Sequence, residues 1–157
     1  MSVSPDRAIV SRARSLWGLA DCDIALVAAR ENRVYRVTWQ DGKKAALRLH
    51  RVGYRSDNDL RSELLWIEML AHHATNSVDS ANEVLSVPRP ISSRAGNLYE
   101  VIDGTQVDLI TWLEGSGLGA SGQPLEVADR IGTFQRLGRA MARMHAISDS
   151  WELPASF

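Results

Sequence analysis

Four short stretches carry side chains able to do chemistry. Arg30-Glu31-Asn32-Arg33 reads as the turn between two antiparallel strands, and the backbone N–H groups of such a turn can wrap an anion. It contains no glycine, so it departs from a glycine-rich phosphate loop and reads equally as an ordinary hairpin connection. Arg48 stands mid-strand in Ala46-Leu47-Arg48-Leu49-His50, on the face it shares with Ala46 and His50. A cation among apolar neighbours either runs its head out to solvent or meets an anion. Glu63 lies inside the apolar stripe of a predicted helix, one turn before Ile67, and a carboxylate on a core-facing stripe wants a buried cation. An Arg48–Glu63 bridge is natural, as a structural ion pair or as part of a ligand site. Thr111-Trp112-Leu113-Glu114-Gly115 carries a strand end into a glycine-rich joint. Extended backbone there either hydrogen-bonds the edge of a planar ring or is simply where a domain stops.

The elements that must position these residues follow from spacing. Ser4 as N-cap, Pro5 at the first helical position and Asp6 at the positive end of the dipole open a helix over Pro5 to Leu19. Ile9, Ala13, Leu16 and Trp17 recur on one face, and Gly18 marks the stop. Ile24 to Ala29, Arg33 to Gln40 and Lys43 to Arg51 read as three antiparallel strands. Asp41-Gly42 predicts a two-residue hairpin turn with positive φ at both central positions. Ser56 to about Ala74 is the next helix, with Leu60, Leu64, Ile67, Leu70 and Ala71 as its apolar stripe. Thr75 to Glu83 is a polar surface loop, and the prolines hold Val87 to Ile91 extended. Asn97 to Ile102 and Val107 to Leu113 are two more strands, joined across Asp103-Gly104. Glu114 to Gln123 is a linker or hinge by composition, and Pro124 starts a helix to about Ile147. The predicted fold is α+β: a five-stranded antiparallel sheet with one helix inserted and one helix before it.

Composition narrows the function classes. The 157 residues are 45% apolar and 24% charged, an ordinary globular balance. Lysines and arginines total 18 against 19 acidic residues, a net charge of −1 that gives no basic field for nucleic acid. Only Lys43 and Lys44 are lysines, and arginine suits phosphate and carboxylate forks. The lone Cys22 can form no internal disulfide or thiolate metal site, so a reducing, cytoplasmic setting is expected. No secretory signal or membrane span is expected either. His72 and His73, adjacent on a helix, point apart and cannot chelate one ion well. His50 and His145 read as packing or surface histidines.

In chain order the four stretches give a strand–loop–strand, a strand cation, a helix carboxylate and a hinge. That is the order of the nucleotide-binding lobe of a kinase. Glu31 to Val37, Ala46 to Leu49, Ser62-Glu63-Leu64, Val87 to Ile91 and Trp112 to Gly115 resemble the phosphotransferase family of aminoglycoside phosphotransferases, choline kinases and homoserine-kinase-like enzymes. Leu137 to His145 resembles the helix before that family's catalytic loop, and Trp151, Pro154 and Phe157 resemble its continuation.

The resemblance implies a protein-kinase-like N-lobe over residues 1–115. Residues 116–157 would be the linker and the first helix of an incomplete C-lobe. It places Glu31 and Asn32 in the loop covering the phosphates of ATP and Arg48 where many members carry lysine. Glu63 would be its helix partner, and Trp112, Leu113 and Glu114 would flank adenine through main-chain bonds. The family's H-x-D-x-x-x-x-N loop and its metal-binding aspartate are expected after Phe157, and no His-x-Asp occurs within the sequence. No catalytic or metal residue is assigned, and the chain alone is expected to be inactive, Mg²⁺ belonging to a complete enzyme. Such an enzyme would move the γ-phosphate of ATP to a hydroxyl of a small molecule. The alternative is a non-catalytic interaction module that binds a protein or a second copy of itself through Phe134, Leu137 and Met141.

Overall fold

Pro5 opens α1 (Pro5–Trp17), whose Ile9, Ala13 and Trp17 are buried along one stripe. The helix stops at Trp17 rather than Leu19, because Gly18 turns left-handed at φ +70°. Leu19 N–H then donates back to Arg14 O at 2.8 Å, the pairing of a glycine-terminated helix end. The computed structural model describes residues 5–76, 85–119, 122–123 and 127–154, so the expected Ser4 cap and most of the loop from Thr75 to Glu83 lie outside the described residues.

The expected sheet is present. β1 (Asp23–Ala29), β2 (Arg33–Thr38), β3 (Lys44–Leu49), β4 (Tyr99–Ile102) and β5 (Thr105–Thr111) form one antiparallel sheet in the order β1-β2-β3-β5-β4. The two Asp-Gly turns differ. At Asp103-Gly104 both residues have positive φ, and Ile102 faces Thr105, so this is the true two-residue turn and β5 begins at Thr105 rather than Val107. At Asp41-Gly42 only Gly42 is left-handed (φ +83°). Trp39 N–H donates to Lys43 O and Gly42 N–H to Trp39 O, so the loop has three residues rather than the expected two. Asp41 keeps an ordinary φ because its carboxylate accepts from Lys43 N–H at 3.0 Å, a local turn that needs no second left-handed residue.

α2 (Asp57–Asn76) is capped reciprocally: Asp59 N–H donates to Ser56 Oγ and Ser56 N–H donates to the Asp59 carboxylate. α3 (Arg130–Asp149) begins later than Pro124. Asp129 caps it by accepting from Gly132 N–H at 2.9 Å, while residues 124–126 lie outside the described set.

The two faces of the sheet are covered differently. Ala45, Leu47, Leu49, Val107 and Leu109 pack with Ile9, Ala13 and Trp17 of α1 in the main core. Trp17 Nε1 also donates to Ile91 O at 2.8 Å. Alternate residues Ala46 and Ile110 pack with Leu60 and Leu64 of α2 on the other face. Each such fully buried leucine contributes about 1.5–3 kcal/mol relative to an exposed one.

The chain divides into two compact units. One is drawn from Met1–Glu68 and Pro88–Trp112 and holds the sheet; the other is drawn from Met69–Val87 and Leu113–Ser156 and holds α3. Gly104 has open space where a Cβ would stand, so only its backbone conformation resists substitution. Gly104→Ala should cost about 1 kcal/mol in urea unfolding, whereas no loss would show that the turn tolerates a side chain.

Candidate functional site

The register of the sheet places a cation beside an acid. Arg48 on β3 faces Val34 on β2 and Asp108 on β5, and Asp108 faces Tyr99 on β4. This row crosses the face on which Leu60 and Leu64 of α2 pack. Arg48 Nε donates to Asp108 Oδ1 at 2.7 Å and Nη2 to Oδ2 at 2.9 Å, a two-point fork. Arg48 Nη1 donates to Glu63 Oε1 at 2.9 Å, so the expected strand–helix ion pair is present. The second oxygen of Glu63 accepts from Arg55, just before α2. Asp108 Oδ2 also lies 2.6 Å from His50 Nε2, and His50 Nδ1 is buried without a partner among the described residues.

Burial decides what these contacts are worth. The side chain of Asp108 is 0% exposed, His50 1%, Arg48 15% and Glu63 26%. A carboxylate taken wholly out of water costs several kcal/mol unless cations and donors surround it, which Arg48 and His50 do. Burial works against the charge of Arg48, but the hydrogen bonds and charge of Asp108, and then of Glu63, outweigh it and leave the guanidinium pKa above its ordinary value. Burial also raises the pKa of Glu63. The hydrogen bond from Arg55 and the charge of Arg48 more than offset that and hold the carboxyl below its usual range. Three of the five N–H donors of Arg48 are engaged in these bonds, leaving one on each Nη.

The other expected residues are placed less closely. Arg30 N–H donates to Asn32 O at 3.1 Å and closes the β1–β2 loop, with Glu31 exposed and Asn32 half-buried. That loop lies at the Arg48 end of β3, since Arg33 pairs with Leu49. Glu31 lines a cleft of about 240 Å³ with Arg30, Arg33, Leu49, Arg51 and Val52, and Arg48 is not among its lining residues. Trp112 closes β5, and its main-chain N–H is engaged with Lys44 O at 3.3 Å. Leu113 and Glu114 are exposed and belong to the other unit. Cys22 is buried, and burial pushes its thiol pKa up, away from the reactive thiolate. Among the described residues no group of three or more His, Cys, Asp and Glu could hold a metal ion, and no helix is long and apolar enough to cross a membrane.

Sequence reasoning missed Asp108 and, with it, the partner of His50, which it read as a packing or surface histidine. The signal for Asp108 was an acid inside the apolar run Val107-Asp108-Leu109-Ile110; the signal for His50 was its position two residues after Arg48 on one strand. Asp108→Ala should destabilise the chain by about 3–5 kcal/mol in urea unfolding, because it takes the fork from a largely buried guanidinium and leaves it one bond to Glu63. Glu63→Gln should remove part of the acid lability. The folded carboxyl titrates below its unfolded value, so its stabilisation is full above about pH 4.3 and is lost as pH falls through the folded value. The stability gap between wild type and Glu63→Gln should therefore be widest near neutrality and close in acid. A gap independent of pH would contradict the ion pair.

Comparison with known proteins agrees with this lobe. The chain resembles the amicoumacin kinase hAmiN, solved in complex with AMP-PNP, Ca²⁺ and Ami, with a TM-score of 0.70 at 22% identity. The match covers 98% of this chain and 42% of that one, so the 157 residues span less than half the length of that kinase. No curated protein matches the sequence. The family model described as "Phosphotransferase enzyme family" matches residues 23–156, from the start of β1 past the end of α3. On that match the chain belongs to the phosphotransferase enzyme family.

Proposed function

We propose that the Arg48 face of the sheet binds the triphosphate of ATP. The chain then supplies the nucleotide-binding lobe of an enzyme that moves the γ-phosphate to a hydroxyl of a small molecule. The observation that carries this reading is the largely buried Arg48 guanidinium, held by Asp108 of β5 and Glu63 of α2 and keeping two N–H donors uncommitted among the described residues. Arginine forks match phosphate oxygens as they match carboxylates. Ala46, Ile110 and Trp112 give the same face an apolar end. The four residue steps from Lys44 to Arg48 span roughly 13 Å of strand, a separation suited to a purine at one end and phosphates at the other. Glu31 and Asn32 close the sheet at the phosphate end. The likeness to a kinase solved with AMP-PNP supports the choice of nucleotide.

The chemistry of transfer needs more than this face provides. Phosphoryl transfer rests on positioning and on charge stabilisation by a metal. The described residues offer no metal cradle, and the sequence carries no His-x-Asp, so no base and no metal step are assigned to this chain. One buried cysteine suits a reducing compartment, and we place the protein in the cytoplasm.

A second reading rests on α3, which exposes Ile131, Phe134, Leu137 and Met141 at helical spacing and buries no residue. Such a stripe suits a protein partner or a second copy of the chain. Light scattering separates the two: dimers at micromolar concentration support self-association, and a monomer across that range removes it.

Calorimetry of the 157-residue chain tests the nucleotide claim. ATP should bind, ADP more weakly, and adenosine about tenfold or more below ATP, since each tenfold step equals about 1.4 kcal/mol of phosphate contact. Equal affinity for ATP and adenosine, or no heat at millimolar ATP from a folded sample, would overturn it.

A further inference from the structure

We infer that Asp108, rather than Glu63, fixes the guanidinium of Arg48, and so acts as the positioning residue for the phosphates of a bound nucleotide. The inference rests on the ATP reading above. Asp108 holds Arg48 by two parallel bonds at 2.7 and 2.9 Å, whereas Glu63 holds it by one. A two-point fork fixes both the position and the plane of a guanidinium; a single bond leaves it free to swing.

The supports of the two acids also differ. Asp108 stands on β5, directly across from Arg48, and β5 is paired along Asp108 on both edges, by β3 and by β4. Its carboxylate is wholly buried, and His50 Nε2, itself buried, lies 2.6 Å from Oδ2. Glu63 stands on α2, is partly exposed, and shares its other oxygen with Arg55 in the connection before that helix. A lysine in place of Arg48 would present one ammonium and no fork. Arginine at this position is therefore matched to an acid on the adjoining strand. The Nε and Nη2 edge is given to Asp108, and the remaining N–H on each Nη is turned over to a ligand. The cation is set by the sheet, and a movement of α2 would not carry it away.

Two measurements on the 157-residue chain test this. The first needs no nucleotide: hydrogen exchange at the Arg48 Nε–H, followed by NMR. Slow exchange should survive Glu63→Gln. Loss of protection in Glu63→Gln would show that Glu63 holds the cation and would overturn the inference, even if Asp108 variants fail to fold. The second compares binding of ATP and adenosine. Asp108→Asn should weaken ATP by about tenfold while leaving adenosine unchanged, and Glu63→Gln should change ATP by less than about threefold. In an Arg48→Lys background the added Asp108→Asn change should matter less, because lysine does not need the fork. Equal losses for ATP and adenosine in a folded Asp108→Asn chain would mark Asp108 as merely structural. A wild-type chain that fails to bind ATP while keeping the Glu63-independent exchange would overturn the nucleotide reading and the phosphate role together, leaving only the fork.

Discussion

A guanidinium cannot be buried in a sheet unless acid groups are buried with it, and that requirement organises the α2 side of this protein. Arg48 sits between two strands that each put an alternate residue on the same face, so the register that pairs β3 with β5 also pairs Arg48 with Asp108. Removing the Asp108 carboxylate would leave the cation with only its single bond to Glu63, and removing the cation would leave a buried carboxylate with only His50. The sheet order, the register and the placement of α2 are tied to this network because a shift of one residue would turn Arg48 into the α1 core. That core is apolar, built from Leu47, Leu49, Leu109 and Trp17, and offers no anion among its buried members.

The network also separates two tasks that a single ion pair would combine. Asp108 gives Arg48 a fixed plane from within the sheet, while Glu63 connects it to α2 and, through Arg55, to the segment that leads into that helix. A site for a highly charged ligand benefits from donors held before the ligand arrives, because no reorganisation is then needed on binding. The two carboxylates and two arginines leave little net charge. Attraction to phosphate on this face therefore depends on the direction of the remaining N–H bonds more than on a positive field.

The sequence made the sheet and both flanking helices legible, since period-2 and period-3.6 patterns and Asp-Gly pairs are all local. Arg48 and Glu63 were visible as charges on apolar stripes, and their pairing followed from one strand feeding one helix. Asp108 was not, because its meaning depends on the β3·β5 register across 60 residues of chain, and a single acid in a strand looks like a solvent-facing position. His50 was hidden for the same reason: its partner is on another strand. The Asp41-Gly42 loop differed because one left-handed residue suffices when Asp41 itself hydrogen-bonds the turn. The start of α3 was misplaced because Pro124 satisfies the rule for a first helical position, while Asp129 supplies the cap that is used.

A crystal structure of the chain with a non-hydrolysable ATP analogue tests the account most directly. It should show phosphate oxygens within hydrogen-bond distance of Arg48 Nη1 or Nη2, with the Asp108 fork unbroken. An analogue seated elsewhere, for instance on Arg30, Arg33 and Arg51, with Arg48 touching only its two carboxylates, would contradict it.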